Sequence, residues 1–155
     1  MDSIPTEVAE AAVPRRKPEH WVLLGIALAG LLAFVVLGVF VDPDPRGYGT
    51  HEKLGMRPCM PMELWNVPCP GCGVTTSVTH AASGDLLGSL RVQPFGLVVV
   101  LVLLCFVGWA LVGHFRGRDL WDGFQQVRWS RWATIGGVLM AVAWIYKVAV
   151  TRGWF

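Results

Sequence analysis

From Trp21 to Val41 the chain runs for 21 residues without an ionisable side chain or a hydrogen-bonding aliphatic one. At about 1.5 Å per residue, a helix of that length crosses the roughly 30 Å hydrocarbon core of a bilayer. A chain carrying such a segment either surrounds it with protein or places it in lipid, and composition decides between the two. Of the 155 residues, 54% are hydrophobic and only 15% charged, too few charges to cover a water-exposed domain of this size. The run is longer than the roughly 7 to 15 apolar residues of a secretory leader. Val39-Phe40-Val41-Asp42 offers no small-x-small cleavage pattern, so the segment is expected to be an uncleaved anchor.

Two further segments repeat the signal. Phe95 to Val112 is an unbroken apolar run in which Cys105 and Trp109 are the only unusual members. Ala133 to Val150 is interrupted by Thr134, Tyr146 and Lys147, the last two near one end, where amphipathic side chains are expected to reach the headgroups. The sequence therefore predicts an all-α integral membrane protein with three transmembrane helices, at about 21–41, 95–113 and 133–150. Residues 1–20 read as a disordered tail, 21–155 as a single membrane domain, 42–94 as a loop on one side and 116–132 as a loop on the other.

Lys and Arg distribution sets the expected orientation. Arg15, Arg16 and Lys17 precede the first span, and Arg116, Arg118, Arg128 and Arg131 lie in the second loop, which places the N-terminus and that loop in the cytoplasm of a cell whose inner membrane holds the chain. In residues 42–94, by contrast, four basic residues are diluted over more than fifty positions and accompanied by acidic ones, so this loop is expected outside. A net charge of +2 is too small and too dispersed for a nucleic-acid footprint. The expected partners are the lipid bilayer and another membrane protein. Gly25, Ala29 and Ala33 in the first span, and Gly137 and Ala141 in the third, recur every four residues, a spacing that would let helices approach closely.

The unusual chemistry is concentrated in the outer loop. Five of the ten prolines fall between Asp42 and Pro68, which predicts a turn-rich stretch. A short helix is predicted from Val74 to Ala82, broken by Gly84, and a second from Asp85 to Gln93, with Leu86, Leu87 and Leu90 on one side as in a helix lying on a membrane surface. Three of the four cysteines are here: Cys59, and Cys69 with Cys72 in Pro68-Cys69-Pro70-Gly71-Cys72-Gly73.

A Cys-x-x-Cys pair of this kind has three readings. As a redox dithiol, Cys69 and Cys72 would gain from a following helix, but no βαβ pattern surrounds them and a thioredoxin-type fold is excluded. As a metal half-site they resemble one knuckle of a zinc ribbon, with Cys59 and His51 as the remaining ligands. His80, about 12 Å further along an intact helix, is too distant to share that ion. As a structural disulfide, Cys59 joined to Cys69 or Cys72 would close a loop of about ten residues, worth a little under 3 kcal/mol in the chain-entropy model, and leave one thiol over. Gly73 occupies the position where a c-type haem motif needs histidine. Elsewhere, Cys105 reads as a packing residue, His20 and His114 as interface residues, His80 as solvated or backbone-bonded, and Asp85 as the N-cap of the next helix. No phosphate loop, nucleophile elbow or His-Glu-x-x-His motif is present.

The ordered series Gly47-Tyr48-Gly49-Thr50-His51, Leu54-Gly55, Pro58-Cys59, Pro68-Cys69-Pro70-Gly71-Cys72-Gly73-Val74-Thr75-Thr76, Gly84-Asp85 and Pro94-Phe95-Gly96 resembles a bacterial family of small multi-pass membrane proteins, domain of unknown function 2752. Many members of that family have Arg where Thr76 stands and Asn-Pro where this chain has Gln93-Pro94. The resemblance implies an integral membrane protein built around the proline and cysteine motif, and directs attention to His51, Cys59, Cys69, Cys72, Gly73, Thr75 and Asp85, with Thr75 and Asp85 as binding positions. It implies no activity. The expected function is that of a structural or partner-binding accessory whose outer loop is held by a disulfide or by a metal such as zinc. The alternative is a membrane-surface thiol-disulfide oxidoreductase using Cys69 and Cys72.

Overall fold

The computed structural model describes residues 16–154, so most of the expected tail lies outside the described residues. Three long helices dominate: α1 (Pro18–Phe40), α6 (Pro94–Phe115) and α8 (Trp129–Thr151), each long and apolar enough to cross a membrane. Between them stand α2 (Thr50–Lys53), α3 (Met60–Trp65), α4 (Val74–Ala82), α5 (Leu86–Val92) and α7 (Leu120–Gln125). There is no strand among the described residues.

The limits of the long helices follow from local chemistry. Pro18 and Pro94 each occupy the first turn, where the missing N–H costs nothing. The residue before a proline disfavours helical geometry, and Gln93 is accordingly extended, with φ −163° and ψ 104°. Helix α1 thus starts three residues before the expected Trp21, and Pro18–His20, predicted as the end of a disordered tail, are helical. The third span also begins earlier than the apolar run suggests, because Trp129 to Trp132 continue it as an amphipathic first turn.

Helices α1 and α6 run antiparallel and meet through Leu23, Leu24 and Ala27 on one side and Val107 and Ala110 on the other, closed at one end by Leu120 of α7. Ala27 and Ala110 have no exposed surface, so the backbones approach closely there. Lipid is as apolar as these side chains, and this seam is held by close packing rather than by escape from water. The small-residue spacing noted in the sequence lies elsewhere: Gly25, Ala29 and Ala33 are exposed, as are Gly137 and Ala141. The contacts instead use Gly30, where an added Cβ would come within 2.8 Å of Leu103, and Gly38, where it would meet the Ala82 carbonyl of α4 at 2.5 Å. The face of α1 is chosen by α4 and α6, which a repeat inside one helix does not reveal.

Helices α4 and α5 form, with residues 42–59, a cap over one end of the bundle. The α4 helix matches its predicted limits, and α5 exposes Leu86, Leu87 and Leu90 as expected. Polar clasps lock the cap. The Ser77 hydroxyl lies 2.8 Å from the Gln93 carbonyl and 2.9 Å from both the carbonyl and hydroxyl of Ser89. Thr50 donates to Thr76 at 2.8 Å, both side chains fully enclosed, while the Asp44 N–H donates to Thr50 at 2.9 Å.

Candidate functional site

The Cys69-to-Gly73 segment is a tight knuckle. The Cys72 N–H donates to the Cys69 carbonyl at 2.9 Å, and the Cys69 N–H points back at the Cys72 sulfur at 3.2 Å. Gly73 has φ +87°, a left-handed conformation that turns the chain directly into α4. A Cβ there would also stand 2.8 Å from the Gly47 carbonyl and 3.2 Å from Lys147 Nζ, so glycine is required twice over. Cys59 arrives from the other side, as the residue preceding α3.

The three sulfurs converge. Cys72 Sγ is 3.1 Å from Cys59 Sγ and 3.2 Å from Cys69 Sγ, and all three lie within 4.8 Å of one another. None is joined in a disulfide. Burial pushes the Cys72 thiol far up, and the adjacent Cys59 and Cys69 sulfurs act in the same direction. At half-buried Cys59, burial also acts upward, but hydrogen bonds from the Cys72 thiol and from the Met62 and Cys69 backbone outweigh it, and the thiol falls below its usual range. A cavity of about 110 Å³ opens beside Cys59, lined by Arg46, Tyr48, Glu52, Met62 and Glu63. Its charges are largely matched: Arg46 binds Asp44 at 2.9 Å and Glu52 at 2.8 Å.

The other expected site residues do not join this cluster. His51, expected as a fourth ligand, lies half-buried on α2 and is not among the ligand atoms that converge on the sulfurs. Asp85 is the N-cap of α5, accepting from the Gly88 N–H at 2.8 Å, and it also pairs with His80 at 2.9 Å. His80 thus remains partly exposed, as expected, and has a carboxylate partner besides. Thr75 is half-buried on α4, and its carbonyl accepts from Thr79. Cys105 is exposed on α6, far along the chain from the other thiols.

Sequence reasoning missed what surrounds the knuckle. Trp144 of α8 donates its indole N–H to the Pro68 carbonyl at 2.8 Å, and one turn later Lys147 donates to the Gly47 carbonyl at 2.9 Å and the Val92 carbonyl at 3.1 Å. Lys147 was expected to reach outward to the headgroups, yet it is only 5% exposed and points into the cap. Gln93 is fully buried, with its amide nitrogen 3.5 Å from the Pro70 carbonyl. Its Oε1 is the one buried side-chain polar atom without a partner among the described residues. Helix α8 buries only Ala143, Lys147 and Ala149, so no apolar face in the sequence marks its contact side.

At the opposite end of the bundle lies a second polar group, also unanticipated. The Leu120 N–H donates to His20 Nδ1 at 3.1 Å, which places the His20 proton on Nε2, 3.1 Å from His114 Nδ1. Arg16 reaches the same His114 nitrogen at 2.9 Å and the His114 carbonyl at 2.8 Å. His20 is fully buried here, not an interface residue. These bonds fasten the start of α1 to the end of α6 and the start of α7.

The fold and the cluster together define an all-helical protein with three helices of membrane-crossing length and a cysteine-rich cap between the first two. Residues 59–107 match the family model described as Protein of unknown function (DUF2752), a segment that begins at Cys59 and runs through the knuckle, α4 and α5 into α6. No curated protein and no solved structure matches the chain.

Proposed function

We propose that Cys59, Cys69 and Cys72 form a three-thiolate centre for a divalent thiophilic cation, zinc being the natural occupant. That centre would hold the cap in the shape through which the protein engages another membrane protein. The observation that carries this reading is the convergence of three sulfurs on one point. A disulfide uses two and strands the third, whereas a tetrahedral ion with bonds near 2.3 Å takes all three once the two closer pairs, at 3.1 and 3.2 Å, open to about 3.8 Å. A cation in the triangle would also hold Cys72 as the thiolate despite its burial, because a coordinating thiol is deprotonated outright. The orphaned Gln93 Oε1 leaves an acceptor beside the knuckle for a donor such as a metal-bound water. The fourth position would be open, and Cys59 borders the cavity.

The cap is placed outside the cell, and the end bearing Arg16, Lys17, Arg116 and Arg118 in the cytoplasm, in keeping with the distribution of basic residues. A second reading is favoured by the lowered Cys59 thiol. Its thiolate would attack a partner disulfide, release one partner thiolate and form a mixed disulfide, which Cys72 would then resolve as the second partner thiolate leaves.

Intact-mass spectrometry separates the two. Alkylation of detergent-purified protein, unfolded with chelator and no reductant, is expected to label all four cysteines, with zinc released in equal amount to protein. Two labels and no zinc, together with a mixed disulfide trapped by Cys72→Ser, would instead establish thiol exchange.

A further inference from the structure

Lys147 is a buried cation without an anion. Among the described residues no carboxylate lies within 4.0 Å of it, and its two hydrogen-bond partners are the neutral carbonyls of Gly47 and Val92. A lysine enclosed at the end of an apolar helix is costly unless a negative charge stands nearby. The ammonium borders the knuckle: a Cβ on Gly73 would come 3.2 Å from Nζ, and Gly73 is bonded directly to Cys72. Trp144, three residues earlier, holds the other end of the same knuckle at Pro68. Helix α8 therefore brings one cation, and no anion, to the group of sulfurs.

We infer that Lys147 is the counter-charge of the cysteine centre, making it neutral overall when a divalent cation sits on three thiolates. This rests on the metal reading above. Three thiolates on a divalent ion leave one net negative charge, and the Lys147 ammonium cancels it without itself binding the ion. Lys147 is in this sense a positioning residue: its bonds to Gly47 and Val92 fix the ammonium, and Gly73 gives it room. It also explains why the cap needs the third long helix. Residues 59–107 supply the sulfurs, and the balancing charge arrives from forty residues beyond that segment.

The test is zinc affinity of the detergent-solubilised full chain, measured by competition with a chromophoric chelator at neutral pH. Lys147→Gln keeps a hydrogen-bond donor and loses the charge, Lys147→Met loses both, and Lys147→Arg keeps the charge. Both neutral variants should bind zinc roughly tenfold or more weakly, as for other groups next to a metal's ligands, while Lys147→Arg binds like the wild type. Wild-type affinity in Lys147→Gln would overturn the inference. So would a Lys147→Met protein that fails to fold beside a Lys147→Gln protein that folds and binds zinc like the wild type, since Lys147 would then serve the two carbonyls alone. A wild-type protein that takes up no zinc, or retains it after Cys72→Ser, would remove the metal reading itself, an outcome distinct from either.

Discussion

At the scale of single residues, Gly73 does the most with the least. Its positive φ, the Gly47 carbonyl and Lys147 Nζ all converge on the space where a Cβ would be. A left-handed backbone costs a non-glycine residue about 1–2 kcal/mol before any collision. Gly73→Ala is therefore expected to destabilise the protein by at least that amount in a thermal or denaturant melt, and to loosen Cys72. Gly71, in the same knuckle, has open space around its Cβ position and no positive φ. Gly71→Ala is the control and should lie within about 0.5 kcal/mol of the wild type, as substitutions in open space do. The cysteines and their glycine were legible in the sequence because a Cys-Pro-Gly-Cys-Gly spacing is a local feature. Trp144 and Lys147 were not, since the bonds that give them meaning span 76 and 100 residues of chain. The same distance effect hid His20 and His114, whose contact is 94 residues apart.

At the scale of elements, α4 and α5 were readable because each is bounded by its own punctuation: Gly73 before α4, Gly84 after it, and Asp85 as the cap of α5. The short helices α2, α3 and α7 were not. Four to six residues cannot sustain a helix alone, and α2 and α7 are held by an enclosed residue each, Thr50 and Leu120, while α3 buries none of its own. In α7 the enclosed Leu120 acts together with Lys17, whose Nζ lies 2.6 Å from Asp122. The Asp85 cap yields a pH dependence. Donation from the Gly88 N–H holds its carboxyl below the ordinary range, slight desolvation of this exposed side chain opposes this, and His80 adds to it. A depressed carboxyl contributes its stability above the unfolded-state value of about 3.9 and loses it as pH falls through the lower folded-state value. Asp85→Ala should accordingly melt at a lower temperature than the wild type at neutral pH. The difference should shrink as pH falls below the ordinary carboxylate range, and one that persists undiminished in acid would show that the carboxylate charge plays no part.

At the scale of the whole molecule, the two ends of the bundle are built differently. One is closed by the His20, His114 and Arg16 group with α7, the other by the cap, and the α1 and α6 seam joins them. The long helices were plain from hydropathy, since apolar length is a property of the sequence itself. Which of their faces meet was not, and the small-residue repeats pointed to surfaces that are exposed. Helix α8 touches the rest chiefly through its final turns, where Trp144, Tyr146 and Lys147 each bond a backbone carbonyl of the cap or of the segment leading into α6. The cysteine centre thus lies between the starts of α3 and α4, with Lys147 of α8 beside Gly73, and an ion on the three sulfurs would tie the starts of α3 and α4 together.

X-ray absorption at the zinc edge of the purified protein tests this most directly. The predicted spectrum has a first shell of three sulfurs at about 2.3 Å with one lighter oxygen or nitrogen ligand, and Cys72→Ser should abolish it. A protein with no bound zinc, or with zinc in a shell without sulfur, would contradict the account.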